Sequence, residues 1–242
     1  MRICFLGNSF AAQHLSAAAA EKGFELCGLN GDPALVFVSE DTPTNEHGVR
    51  DLEPIRDLFW SALRANAIRP GEVAPVILTS QVPPGFMREL GGRVIFHQAE
   101  TLRIKDAAFR ASHPEMFIVG CANPAEPLPK VYETYLNSFN CPILTMSYES
   151  AEFSKIAINA FLISQVETTN MLSRLAERCG AKWTDVQKAL WNDSRIGPNA
   201  YLEPGTWMNS RHLLRDYVTL REIAPFHGGE ALLRAWDGFQ YT

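Results

Sequence analysis

The 242-residue chain has no CxxC pair, no run of 18 uninterrupted apolar residues, no excess of positive charge and no low-complexity tract. Each absence removes a class of protein. Lys+Arg 22 against Asp+Glu 27 gives a formal charge of -5, so the basic footprint of a nucleic-acid binder is missing and nucleic acid is excluded as a partner. Five cysteines (Cys4, Cys27, Cys121, Cys141, Cys179) form an odd set without metal-ligand spacing, which points to a reducing compartment rather than a disulfide framework or a zinc site. The apolar runs are too short to cross a membrane, and residues Met1 to Gly7 read as a strand rather than a signal peptide. The expected location is the cytoplasm, with no membrane partner. What is present is a folding composition, 46% apolar, 10% aromatic and 20% charged, which excludes a disordered chain.

Through the first 146 residues, short apolar runs alternate with helical segments, the order expected of a parallel sheet covered by helices. The expected strands are Ile3 to Leu6, Phe24 to Leu29, Leu35 to Val38, Val76 to Thr79, Val94 to His97, Met116 to Val119 and Pro142 to Met146. Helices are expected at Ala11 to Lys22, Leu52 to Ala65, Met87 to Leu90 and Lys130 to Phe139. The fold class is therefore α/β. From residue 147 the pattern turns almost purely helical, with one long helix capped by Ser150 and stopped by Gly180, and further helices at Thr184 to Trp191, Ser210 to Ile223 and His227 to Trp236. The long helix carries more apolar residues than a solvated helix needs, among them Phe153, Ile156, Phe161, Ile163, Met171, Leu172 and Leu175, so it is expected to pack on two sides. Two domains follow, 1–146 and 147–242.

The first turn, Gly7-Asn8-Ser9-Phe10-Ala11-Ala12, sits where a dinucleotide fold places its Gly-x-Gly-x-x-Gly/Ala. Gly7 keeps the first position and Ala12 is an accepted third. Ser9 takes the second, where its side chain would push a phosphate outward or contact it directly. The second strand should end in an acid for the ribose. Here Asn30 stands in that place, with Asp32 two residues on and no Arg beside it, a combination that favours NAD over NADP.

Ala17 to Glu25, the Thr42-Pro43 loop with Thr44 to Leu52, Ser80-Gln81-Val82-Pro83-Pro84-Gly85, His113 to Gly120, Glu149 to Leu162, and Arg195-Ile196-Gly197-Pro198 together resemble one family over nearly the whole chain, the UDP-glucose/GDP-mannose 6-dehydrogenases. The resemblance implies a Rossmann-like domain followed by a helical middle domain through which the protein homodimerises by the long helix. It implies NAD against Gly7, Ser9, Phe10 and Ala12, with Asn30, Thr42, Pro43 and Ser80 completing the cofactor side. It also implies that Lys155 and Asn159, four apart on one helical face, hold a substrate oxygen or water, and that Glu100 and Asp216 belong to the same site.

Departures from the family pattern limit the chemistry. The family oxidises a sugar alcohol to a carboxylate in two hydride transfers, with a cysteine holding the intermediate aldehyde covalently. The corresponding stretch, Pro204 to Asp216, has no cysteine, and His212 stands where the nucleophile would be. Cys121 alone of the five cysteines is expected in a loop. Ile104 and Gln81 replace residues that the family associates with the reacting water. Glu40 and Asp41, just before Thr42, would repel a pyrophosphate. Against the family, the segment between Asp32 and Leu35 is cut short, and the C-terminal sugar-nucleotide domain is expected to be missing.

Three readings remain open on these residues. The first is an NAD-dependent oxidoreductase limited to one two-electron alcohol/carbonyl step on a small-molecule or sugar substrate, in which His212 or Asp216 relays the proton. The second is a non-catalytic scaffold or partner-binding relative that has lost the cofactor. The third is a composite site completed by a separate chain.

Overall fold

The computed structural model describes residues 1–67, 73–92, 94–224, 229 and 233–236. Two compact units are formed, one from Met1–Pro43 and Arg50–Lys155, the other from Thr44–Val49 and Ile156–Thr242. The fold is α/β, as the alternation of apolar runs implied.

The first unit is built on a seven-stranded sheet of order β2-β1-β3-β4-β5-β6-β7. Its strands are β1 (Arg2–Leu6), β2 (Glu25–Leu26), β3 (Leu35–Val38), β4 (Val76–Leu78), β5 (Ile95–Ala99), β6 (Phe117–Cys121) and β7 (Ile143–Ser147). Strand β3 shows why the central runs are apolar throughout. All four of its residues are fully buried, Leu35 and Phe37 in one core layer and Val36 and Val38 in the other. A strand covered on both faces has no solvent side on which to alternate. The helices that cover it are α1 (Phe10–Glu21), α2 (Glu53–Ala67), α3 (Phe86–Leu90), α4 (Ala107–Ser112) and α5 (Lys130–Asn137). On one face Leu15, Ala18 and Ala19 of α1 and Tyr132, Tyr135 and Leu136 of α5 pack with Phe37 and Phe117; on the other, Ile55 and Phe59 of α2 pack with Val36, Val38 and Met87.

Three expectations in this unit need correction. The sheet is not wholly parallel, because β5 and β6 run antiparallel. The chain between them carries a 3-10 turn, Ile104–Asp106, and the six-residue α4, with no helix long enough to run the length of the sheet. The expected strand from Phe24 to Leu29 shrinks to Glu25–Leu26, and Leu29–Gly31 forms a 3-10 turn. Cys121 is not in a loop but ends β6, buried, with its thiol donating to the carbonyl of Met146 at 3.4 Å.

The shortened segment after β2 has a visible consequence. Asp32 takes a left-handed φ of 55° and its carboxylate meets Arg2 at 3.3 Å, and the chain then crosses to the other side of β1 to enter β3. On the β2 side the sheet ends with two exposed residues.

Helix α6 (Tyr148–Arg178) is the long helix, and its start corrects the expected cap. Ser147, not Ser150, fills that role: the Ser147 hydroxyl oxygen accepts the backbone N–H of Ser150 at 3.2 Å, the geometry of an N-cap to its third residue. The stop is as expected, since Gly180 has φ +77° and Ala181 N–H returns to the Ala176 carbonyl at 2.8 Å.

The second unit contains the remainder of α6, α7 (Trp183–Asn192) and α8 (Arg211–Ile223). Ile163 packs with Trp207, Tyr217, Leu233 and Trp236 in its core. Thr44–Val49 joins this unit, and Gly48, at φ +82°, lies so close to Leu214 and Val218 that a Cβ would come within 2.8 Å of Val218. The last expected helix, His227 to Trp236, falls mainly outside the described residues; 233–236 are helical. The buried stripe of α6 includes Ile156 and Ile163, whereas Phe161 is 74% and Leu175 50% exposed. No helix among the described residues is long and apolar enough to cross a membrane.

Candidate active site

The first cluster gathers around the turn after β1, at the point where the chain's connections diverge, to β2 on one side and to β3 on the other. Open α/β sheets bind ligands at such a switch point, outside the carboxyl ends of the strands. Gly7 makes the turn at φ +106°, and a Cβ there would lie 2.2 Å from the carbonyl oxygen of Ser39, so only glycine fits. Beside it opens a cleft of about 450 Å³ lined by Phe5, Gly7, Asn8, Ala12, Leu26 and Gly28, among others. That is a volume of the order a small ligand requires.

Ser9 is not where a phosphate could meet it. It is buried, its hydroxyl oxygen accepts Ala12 N–H at 2.9 Å as the N-cap of α1, and its hydroxyl donates to the Ser39 carbonyl at 2.7 Å. Its side chain is turned into the fold, where the sequence expectation had it pushing a phosphate outward or contacting it. Phe10 is exposed and stacks edge-on against His14, and Ala12 is buried beneath the cleft. Asn30 lies exposed in the 3-10 turn rather than at a strand end.

The loop after β3 closes over the same place. Thr42 is buried and its hydroxyl donates to the Gln81 carbonyl at 2.7 Å, Pro43 is exposed, and buried Ser80 accepts the backbone N–H of Glu40 at 3.0 Å. Glu40 then reaches back to the first turn, where its carboxylate accepts Asn8 N–H at 2.9 Å. The sequence signalled two acids near the phosphates; that one of them bonds to the turn is visible only in three dimensions.

Other candidates are committed to local structure. A Glu100 carboxylate oxygen accepts the backbone N–H of Leu102, folding the side chain onto its own loop. In the second unit, Asn159 is buried and its Nδ2 donates to Asp216, which is fully buried and lies 3.7 Å from the Arg215 guanidinium. His212 is exposed, one turn before Asp216 on α8, with Nδ1 3.5 Å from Arg215. Lys155 is half-buried, one helical turn before Asn159 on α6.

Two buried titratable groups were assigned no role in the site from sequence. Glu152 is 1% exposed and accepts the N–H groups of Gly85 and Met87 at 2.6 and 2.7 Å, satisfying the start of α3. Burial pushes its carboxyl up to about 7, against the pull of those two donors. His97 is buried on β5 with Nδ1 unpartnered, and burial drives its imidazole down to about 4, so it is neutral at pH 7. Helical register places Glu152 three residues before Lys155, a spacing that could have drawn attention to it; nothing local marks His97. No group of three or more His, Cys, Asp or Glu able to hold a metal occurs among the described residues.

A mostly parallel sheet with a glycine turn at its switch point defines a Rossmann-like fold, and solved dehydrogenases share it. A UDP-glucose dehydrogenase from Pyrobaculum islandicum superposes with a TM-score of 0.77 at 18% identity, covering 98% of this chain and 67% of that one. A Mycobacterium tuberculosis 3-hydroxyisobutyrate dehydrogenase gives 0.68 at 17% identity, covering 98% and 93%.

In sequence the chain is similar to the UDP-glucose/GDP-mannose dehydrogenases: residues 149–236 match the family model described as the UDP-glucose/GDP-mannose dehydrogenase family, central domain. The UDP-glucose 6-dehydrogenase YwqF of Bacillus subtilis (strain 168) is 27% identical over 201 residues, 78% of this chain and 44% of that protein. UDP-glucose 6-dehydrogenase 3 of Oryza sativa subsp. japonica is 24% identical over 219 residues, 84% and 45% respectively. The chain spans less than half the length of these relatives.

Proposed function

We propose that the protein is an NAD-dependent oxidoreductase acting on a CH–OH group of a small-molecule or sugar substrate, limited to a single two-electron step. The observation that carries the reading is the Gly7 turn, which no other residue could make, opening at the switch point onto a cleft of about 450 Å³. The cleft has the volume of a small-ligand site, and Glu40 on Asn8 weakens the hold of the turn on a pyrophosphate. NAD, when bound, would accept the hydride. On this reading Lys155 meets the substrate oxygen with a positive charge as negative charge gathers there, an interaction worth most in a site that excludes water. Asn159 gives one N–H to Asp216, which fixes the amide's orientation for the same task.

The limit to one step rests on the cysteines. Within the stretch Pro204 to Asp216 there is none, and His212 at the corresponding position is exposed. Without a covalent hold, an aldehyde or ketone is the product rather than an intermediate. A homodimer through the exposed side of α6 belongs to the same proposal, since Phe161, Leu172 and Leu175 offer apolar surface there.

A second reading, a scaffold that no longer binds cofactor, is favoured by one contact, Glu40 on Asn8. Fluorescence titration with NADH separates the two. Saturable binding at or below millimolar concentration supports the oxidoreductase, and its absence supports the scaffold.

A further inference from the structure

A helix that follows a glycine turn presents backbone N–H groups to an anion, and in dinucleotide folds the pyrophosphate takes them. In this chain a backbone donor of the turn itself, Asn8, two residues ahead of the first helical residue Phe10, is already engaged. Asn8 N–H donates to Glu40 Oε2 at 2.9 Å, while Glu40 Oε1 accepts Asp41 N–H at 3.1 Å, so both carboxylate oxygens are fixed. The residue that carries them is anchored as well. Its backbone N–H donates to buried Ser80 at 3.0 Å, and the preceding residue, Ser39, receives the Ser9 hydroxyl at 2.7 Å. The carboxylate therefore bridges the loops after β1 and β3 and lays a negative charge against the mouth of the cleft.

We propose that Glu40 is an internal anion occupying the phosphate position of the turn, and that it determines the cofactor affinity of this site by competing with a dinucleotide's pyrophosphate. A phosphate that takes Asn8 N–H must displace the Glu40 carboxylate or lie against it, and like charges a few ångström apart in a partly desolvated cleft repel. The rest of the turn is sound: Gly7 has the required conformation and Ser9 caps the helix without intruding. The obstacle is one side chain. Removing it exposes a ready-made N–H at the surface, where water can satisfy it, so the fold tolerates the change.

This inference rests on reading the cleft as a dinucleotide's place, and its test is arranged so that the two can fail separately. NAD is titrated calorimetrically into the full-length wild type, E40A and E40Q, with thermal unfolding recorded for each. E40A removes both the charge and its bond to Asn8. E40Q keeps an oxygen for that bond and removes only the charge, in a side chain of the same shape. The expected result is that E40A binds NAD at least tenfold more tightly than wild type, with E40Q between them. Affinity unchanged or weakened in both variants overturns the role of Glu40, and so does the absence of binding in all three proteins. Binding by E40A where wild type shows none supports it, while removing the native protein from the cofactor-dependent enzymes. Wild-type binding unaltered by either substitution leaves the oxidoreductase reading standing without Glu40.

Discussion

The Nδ2 of Asn159 donates to Oδ2 of Asp216, joining α6 to α8 inside the helical unit with both side chains buried. Arg215, 5% exposed, lies 3.7 Å from the other carboxylate oxygen. A buried carboxylate with a cation and an amide at hand is costly to remove, because the groups left behind keep their desolvation penalty. D216A should destabilise the second unit by about 3 to 5 kcal/mol, and N159A by about 1 to 3 kcal/mol, in urea unfolding. A double-mutant cycle should show strong coupling; additive losses would mean that the two residues act independently.

Lys155 is the candidate whose loss should separate chemistry from stability. It is half-buried, and a surface lysine commonly changes stability by less than about 0.5 kcal/mol when truncated. K155A should unfold at the wild-type temperature and bind NADH as wild type does, while losing at least a hundredfold in turnover of an alcohol substrate. Unchanged turnover would take Lys155 out of the reaction.

Glu152 makes stability depend on pH in a definable window. Its carboxyl titrates near 7 in the fold against 4.5 when free, so between those values the folded state binds the additional proton. The contribution is fully present below about pH 4.5 and is lost as pH rises through about 7. E152Q stays neutral but keeps one acceptor oxygen for two N–H donors, so it should be less stable than wild type at the acidic end of the window and the gap should narrow as pH rises through it, in melts recorded across that range. Parallel pH profiles for the two proteins would assign the dependence elsewhere. E152A, by contrast, strips the acceptor from Gly85 and Met87 and should cost about 2 to 4 kcal/mol at any pH.

Ser9 should behave as a structural residue. S9A removes the α1 cap and the bond to Ser39, a loss of about 1 to 2 kcal/mol in thermal or chemical unfolding. NADH affinity, measured under conditions where both proteins are folded, should change less than twofold. A large loss of affinity would return Ser9 to the phosphate.

The parts of the fold that were legible were those fixed by neighbours in sequence. Leu35 to Val38 read as a strand buried on both faces because four consecutive apolar residues have no other use between turn signals, and Gly180 read as a stop because its conformation suits glycine. The cap at Ser147 was obscured because the same residue also ends β7, so strand and helix meet without a linker. The antiparallel turn of β6 and the burial of Cys121 depend on where a short helix returns the chain, which no local pattern records.

The candidate site divides the same way. Lys155 and Asn159, and the acids at 40 and 41, were singled out by where they stand against the family's pattern. The pairing of Asn159 with Asp216 spans 57 residues and that of Glu40 with Asn8 spans 32, distances at which sequence pattern carries no contact information. A serine after a glycine turn can serve a phosphate or the helix itself, and the bond that turns Ser9 inward is made to Ser39, a residue thirty positions away that no local pattern records.

The central claim is that the cleft beside Gly7 accepts a nicotinamide dinucleotide, and the most direct measurement is calorimetric titration of NAD and NADH into the full-length wild-type protein. The account predicts saturable binding of one dinucleotide per chain, weakened by Glu40 yet complete at millimolar concentration. Absence of any binding heat at that concentration, from a protein shown to be folded, would contradict it.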